Sequence, residues 1–238
     1  MSLSIISLNV NGIRDKTKRT SIFHWLKEKN ADLCFIQESH CESEDDIKVW
    51  SSEWGGDSYW ANYNSFSRGV AVLVKPKLKL EIRNVIRDPN GRYIWAEIEN
   101  DDKNIKILNI YAPNNGNDRD LFFKNMKTFI HKNIQNTPTE LVVGGDFNCT
   151  LNVNIDRRKN KQSRAGTDKG TKELLDLMHD CSLEDVWRRR HPKQRRYTYF
   201  KTNSRSASRI DMWLLSKSLD SSVTKDHILI GCNTQPVI

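Results

Sequence analysis

No run of this sequence approaches the ~20 consecutive apolar residues that a membrane-spanning helix needs, so no such helix is expected. The opening residues, Met1-Ser2-Leu3-Ser4-Ile5-Ile6, carry no basic segment leading into an apolar one, and a secretory signal is not expected. Cysteine is sparse: five residues, at positions 34, 41, 149, 181 and 232, odd in number and never spaced CxxC. That pattern argues against a disulfide framework and against a zinc ribbon, and it leaves free thiols in a reducing compartment, cytosol or nucleus. Interdomain linkers, low-complexity tracts and exact repeats are also missing, so a single domain over 1–238 is expected.

What is present is enough apolar material for one large core. The 238 residues are 37% hydrophobic and include seven Trp, which suits a single α/β or all-β unit. The net charge of +8 is unevenly placed. From Arg157 to Arg209 there are 16 Lys/Arg against 6 Asp/Glu, while the rest of the chain is slightly acidic. A charge needed only for solubility would be spread out; one concentrated in a fifth of the chain suggests a polyanionic partner.

Periodicity predicts strands at Leu3 to Leu8, Asp32 to Gln37, Tyr59 to Ala61, Gly69 to Val74, Leu78 to Ile86, Tyr93 to Ile98, Ile105 to Ile110 and 141–147. Helices are expected at 17–29 (Ile22, Trp25, Leu26 and Lys29 on one face), from Asp118 (Phe122, Met126, Phe129 and Ile130 as the stripe) and at 171–180 (Leu174, Leu177 and Met178 inward). Residues 41–53 read as a short helix or loop, 152–170 as a polar surface loop and 188–196 as a basic loop. Tyr197 to Phe200 and Ile210 to Leu215 read as strands joined by a hairpin tip at 201–208, with a last strand at 222–231. The recurring strand–helix–strand order predicts one layered α/β domain with two similar sheets.

Several of these strands end in a short polar group: Asn9-x-Asn11-Gly12, Gln37-Glu38, Tyr111-x-Pro113-Asn114, Asp146-x-Asn148 and Arg209-Ile210-Asp211. Open α/β sheets place their sites just beyond strand ends. The most informative end is Val142-Val143-Gly144-Gly145-Asp146-Phe147-Asn148. Alternation places Asp146 and Asn148 on one side, and the glycines admit a close backbone or ligand approach. A carboxylate that takes a proton, beside an amide that holds an oxygen, suits attack of water on a phosphate ester. The absence of a central His or Cys among these ends favours a hard cation held by oxygen, and Mg²⁺ needs only one or two carboxylates plus waters. Glu38 is the candidate metal carboxylate and Asp146 the candidate base. Taken singly, Glu38 also fits a surface acid, Asn11 a turn former, Tyr111 a core edge, Asp146-x-Asn148 an Asx turn and Asp211 an ion partner of Arg209.

Taken together, Leu8 to Gly12, Ile36-Gln37-Glu38, Gly69-Val70-Ala71, Ile110 to Asn114, Gly145 to Asn148, Tyr197 to Phe200 and Arg209-Ile210-Asp211 resemble the exonuclease III/AP endonuclease, DNase I-like phosphodiesterase superfamily, in family order over nearly the whole chain. Ile107 to Asn114 and Arg188 to Phe200 are similar, within it, to the endonuclease domain of non-LTR (LINE-type) retrotransposons. The resemblance implies a four-layer α/β sandwich, two packed mixed sheets flanked by helices, and nicking of one DNA strand with Mg²⁺ (Mn²⁺ as substitute). It implies that the nick primes reverse transcription, with double-stranded DNA, a reverse transcriptase domain and element RNA as partners, in the nucleus. It places Asn11 and Glu38 at the metal, Tyr111 and Asn114 at the scissile phosphate, Asp146 and Asn148 at the water and phosphate oxygens, and Asp211 behind a catalytic histidine. Asn9, Arg157, Arg158, Arg195, Arg196, Thr198 and Arg205 are the expected DNA contacts. The family's closing Ser-Asp-His is not at its usual distance. The histidine is expected beyond Ile238 in a longer polypeptide, with His227 of Asp226-His227 as the alternative. An abasic-site repair endonuclease and a catalytically impaired DNA-binding module are the competing readings; a phosphoinositide or sphingomyelin phosphodiesterase fits the basic segment poorly.

Overall fold

The structure, a computed structural model, describes residues 3–100, 103–134, 140–158, 168–202 and 206–226. They form two compact units. One contains the residues up to Tyr111 together with Val143–Gly145; the other contains Ala112–Val142 and the residues from Asp146 onward.

In the first unit, β1 (Ile5–Asn9), α1 (Lys16–Lys29) and β2 (Leu33–Gln37) make a crossover that brings β1 and β2 together in parallel. Helix α1 starts where the Asp15 side chain accepts from the Lys18 amide, and it stops at Asn30 in a left-handed conformation. Next come α2 (Glu44–Trp54), β3 (Ser58–Ala61) and β4 (Val70–Val74). The segment expected as a short helix or loop is a full helix because Ser43 and Asp46 close a reciprocal capping box and Gly55 ends it. Strands β2 and β4 are apolar and buried along their whole length, as central strands covered on both faces must be. They pair antiparallel from Leu33↔Val74 to Gln37↔Val70, which gives a mixed sheet of order β1-β2-β4-β3.

The meander β5 (Glu81–Arg87), β6 (Tyr93–Asn100) and β7 (Lys103–Tyr111) follows, in antiparallel register from Tyr93↔Ile110. It turns at Asp88, whose side chain accepts from the Arg92 amide and whose carbonyl accepts from Gly91. This meander faces the β1–β4 sheet, and one buried amide crosses the gap. Asn109 Nδ2 donates to the carbonyls of Ile36 and Ala71, and its Oδ1 accepts from Gln37 Nε2 at 2.7 Å. Asn109→Ala removes a buried partner from two carbonyls and from Gln37 Nε2, which keeps only Ser7 Oγ. The expected loss is about 3 kcal/mol, read as a lower urea midpoint at unchanged slope.

In the second unit, α3 (Gly116–Ile134) begins where Asn115 Oδ1 accepts from the amides of Asn117 and Asp118. It is followed by β8 (Glu140–Asp146), α4 (Val153–Asp156), β9 (Arg157–Arg158), α5 (Thr171–Asp180), β10 (Leu183–Asp185), α6 (Val186–Arg190), β11 (Tyr199–Phe200), β12 (Ala207–Ser208) and β13 (Asp211–Ser216). The larger sheet has the order β10-β13-β8-β7-β6-β5, and a small one the order β11-β12-β9. Two mixed sheets flanked by helices are therefore the architecture, as expected for an α/β chain.

The differences from the sequence reading are local. The buried face of α1 is Arg19, Ile22, Phe23 and Leu26, with Lys29 exposed. Arg19 is tolerated inside because Glu53 and the carbonyls of Ile13 and Arg14 take its protons. In α3 the inward aromatic is Phe123, with Phe122 at the margin. Leu78 and Leu80 precede β5. The stretch 152–170 holds α4 and β9, and α6 occupies the start of the expected basic loop. The hairpin after Tyr197 is β11–β12, paired through Tyr199↔Ser208, with β13 outside it. Lys217–Ser222 is a 3-10 turn and no strand follows through Asp226; the rest of the expected last strand lies outside the described residues.

Candidate active site

Two groups of the expected residues are described, one in each unit. The first gathers on Glu38. This residue stands just past β2 in a left-handed conformation (φ 54°), which turns its side chain out of the strand. Asn9 Nδ2 donates to Glu38 Oε1 at 2.7 Å, and Asn9 Oδ1 accepts from the Asn11 amide at 3.0 Å. Asn9 is thus the residue that orients the carboxylate, while the Asn11 side chain is exposed and its carbonyl accepts from Lys18 Nζ. Burial pushes the Glu38 carboxyl up, but the groups around it, His40, Asn9 and Tyr111, outweigh burial and hold it below the ordinary carboxylate range. His40 Nε2 lies 3.7 Å from Glu38 Oε2. Tyr111 is buried, and the Arg92 guanidinium lies over its ring at 4.9 Å. Burial lowers the Arg92 pKa, with Arg68 adding to the effect.

This group fits a hard cation. Among the described residues no three His, Cys, Asp or Glu side chains gather as a ligand set. An ionised carboxylate fixed by a neutral amide is the arrangement that Mg²⁺, keeping most of its waters, accepts.

The second group surrounds Asp146, the last residue of β8 and nearly buried. Asp146 Oδ1 accepts from the Asn148 amide, and Asn148 Nδ2 donates to the Ala112 carbonyl, both at 2.8 Å. The Asp146 carbonyl accepts from Ala112, and Phe147 N–H donates to the Ile210 carbonyl. Asn148 is left-handed (φ 51°), so Asp146-Phe147-Asn148 is an Asx turn pinned on both sides. The Asx turn that this motif also fits is thus what the structure shows. Gly145 is obligatory one residue earlier: at φ 134° a Cβ there would sit 2.0 Å from the Ile110 carbonyl oxygen. The close approach expected of this glycine is made by backbone.

Asn114 has an exposed side chain, and its position is set by Arg119, whose Nη1 donates to the carbonyls of Pro113 and Asn114. Thr198 Oγ1 accepts from the amides of Ile210 and Asp211, so it tethers the start of β13. Arg209 does not pair with Asp211; its partners are Asp156 and Asp185. Of the expected DNA contacts, Arg195 and Arg196 are exposed, and Arg158 is exposed with its guanidinium 5.6 Å from the Tyr197 ring centre. Arg157 is half-buried and held by Asp168 at 2.6 Å. Arg188, read as part of a basic loop, turns inward to Asp156. Arg205 and His227 lie outside the described residues.

Sequence reasoning missed His40, Arg92, Arg119 and Asp168. Only Arg119 left a signal, as a basic residue in the first turn of a helix that opens just after Asn114-Asn115. The others are recognisable only from their partners.

Comparison with known proteins identifies the family. The chain is 29% identical over 233 residues to the transposon TX1 uncharacterized 149 kDa protein of Xenopus laevis, covering 97% of this chain but only 17% of that protein. It is 24% identical to the exodeoxyribonuclease of Bacillus subtilis (strain 168), over 99% of this chain and 98% of that one. Its fold matches an AP endonuclease from Archaeoglobus fulgidus with a TM-score of 0.71 at 21% identity, over 92% of this chain and 88% of the other. The Endonuclease/Exonuclease/phosphatase family matches residues 6–232, and the chain, a phosphoester hydrolase, belongs to that family.

Proposed function

We propose that the chain nicks one strand of duplex DNA in a divalent-metal-dependent reaction and serves as the endonuclease domain of a LINE-type retrotransposon. The observation that carries this reading is the likeness, along 97% of this chain, to a 17% portion of a much larger transposon protein. The concentrated positive charge between Arg157 and Arg209 supports a polyanionic substrate.

Glu38, with Asn11, would hold Mg²⁺ (or Mn²⁺), and the ion would neutralise charge developing on the phosphate. Asp146 takes the proton of the attacking water as the oxygen bonds to phosphorus. The bond from phosphorus to O3′ breaks, O3′ leaves with the bonding pair and takes a proton from solvent water, and the resulting hydroxyl is the end that a polymerase extends. Asn148, Tyr111 and Asn114 hold the phosphate oxygens, and Asp211 orients a histidine. Arg158, Arg195, Arg196 and Thr198 contact the DNA backbone; Asn9 acts through Glu38. A reverse transcriptase domain, element RNA and a nuclear location belong to the same proposal.

Supercoiled plasmid tests it. Mg²⁺ is expected to yield the open circle, excess chelator to abolish it and restored Mg²⁺ to recover it; nicking that survives chelation defeats the metal assignment. The competing reading is an abasic-site endonuclease, favoured by the fold shared with the Archaeoglobus enzyme. Intact and abasic duplexes cut at comparable rates support the retrotransposon reading, and a large preference for the abasic duplex supports repair.

A further inference from the structure

Phe66 is 87% exposed, far more than any other large hydrophobic side chain among the described residues; Leu121, the next, is 59%. A single exposed apolar residue needs no explanation by itself. What sets Phe66 apart is how firmly it is presented. Asn64 Oδ1 accepts from the Phe66 and Ser67 amides and from Ser67 Oγ, closing a tight turn with Phe66 at its tip.

Both legs of that turn are bonded to the segment that follows Glu38. Asn62 Nδ2 donates to the Glu42 carbonyl and the Tyr63 amide to the Cys41 carbonyl. On the other leg, the Arg68 and Gly69 carbonyls accept from His40 and Ser39. The Arg68 guanidinium lies 4.1 Å from the Tyr63 ring centre and donates to the Asn90 carbonyl. A solvated aromatic ring at the tip of a hydrogen-bonded turn, with a cation at its base, is therefore joined to the Glu38 segment.

From this we infer that Phe66 is a specificity-determining wedge that enters a base step of duplex DNA beside the scissile phosphate, while Arg68 meets the adjoining backbone. An apolar ring inserted between bases unstacks them at some cost, and the cost is least at flexible pyrimidine–purine steps. The wedge would then make the nick sequence-dependent without reading base edges. This inference rests on the nuclease reading above, and its test separates the two.

The probe is a set of short duplexes carrying 2-aminopurine at successive positions, bound in the presence of chelator so that none is cut. The wild-type chain is expected to raise fluorescence at one step. Phe66→Ala should abolish that rise, weaken affinity roughly tenfold and flatten the step preference of nicks mapped on plasmid with Mg²⁺. Phe66→Leu should keep part of all three, and Leu121→Ala should change none. Because the ring is exposed, Phe66→Ala should melt like the wild type. Wild-type affinity, fluorescence pattern and nick map in Phe66→Ala overturn the wedge while leaving the nuclease standing. A wild-type chain that neither binds nor nicks duplex overturns both.

Discussion

Asp146→Asn is expected to slow plasmid nicking by about a thousandfold, or about 4 kcal/mol of transition-state stabilisation, with the melting curve unchanged. The replacement is nearly isosteric. Its Oδ1 can still accept from the Asn148 amide, and the bonds of the backbone to Ala112 and Ile210 do not involve the carboxyl group. The Asx turn therefore survives and, on the proposed mechanism, the base is lost. Asp146→Ala, by contrast, also frees the Asn148 amide, so its loss of rate would mix chemistry with distortion. Nicking by Asp146→Asn within tenfold of wild type, at unchanged melting, would show that the proton goes elsewhere.

Asp156→Ala is expected to cost about 3–5 kcal/mol of stability, a drop of roughly 10 °C in melting temperature for a chain of this length. Asp156 and Arg209 are wholly buried. Asp156 Oδ1 accepts from Arg209 Nε at 2.8 Å and from Arg188 Nη2, while its Oδ2 accepts from the Asn152 amide. Arg209 Nη2 donates to Asp185 at 2.6 Å. Burial alone would lower the Arg209 pKa, but Asp185 and Asp156 outweigh it and raise it. Removing Asp156 leaves two guanidinium groups with one buried carboxylate between them. The double replacement Asp156→Leu with Arg209→Met should recover only part of the loss, because it removes one buried pair but leaves Asp185 and Arg188 without their ion partners. Asp156→Ala melting within a degree or two of wild type would refute the account.

The same network reaches the Asp146 turn through packing. Arg209 immediately precedes Ile210, whose carbonyl receives the Phe147 amide one residue beyond Asp146. Arg188 also donates to the carbonyls of His191 and Gln194, which ties down the exposed run leading to Arg195 and Arg196. Asp156→Ala should therefore weaken DNA binding as well as folding.

Among the described residues Cys34, Cys41, Cys149 and Cys181 are free thiols. Cys34, Cys41 and Cys149 are buried, and burial pushes each up to about 12. They pack as small apolar residues.

Sequence alone determined the parts of this protein whose cause is local. Apolar runs such as Leu33–Gln37 and Val70–Val74 can only be central strands, and Thr171–Asp180 carries its helical period openly. Gly145 and Asn148 announce a turn after β8 because few other residues adopt such backbone angles. Tertiary structure alone decided what depends on partners distant in the chain. Asp156 and Arg188 look like surface charges in a polar stretch, and only their pairing with each other across 32 residues, with Arg209 53 residues from Asp156 as a further partner, offsets the loss of water. Asn9 reads as a strand-end amide, and nothing local shows that Glu38, 29 residues on, takes its amide. A hydrogen bond or ion pair has no periodicity along a sequence; it exists only where folding removes water from between two groups and leaves them each other.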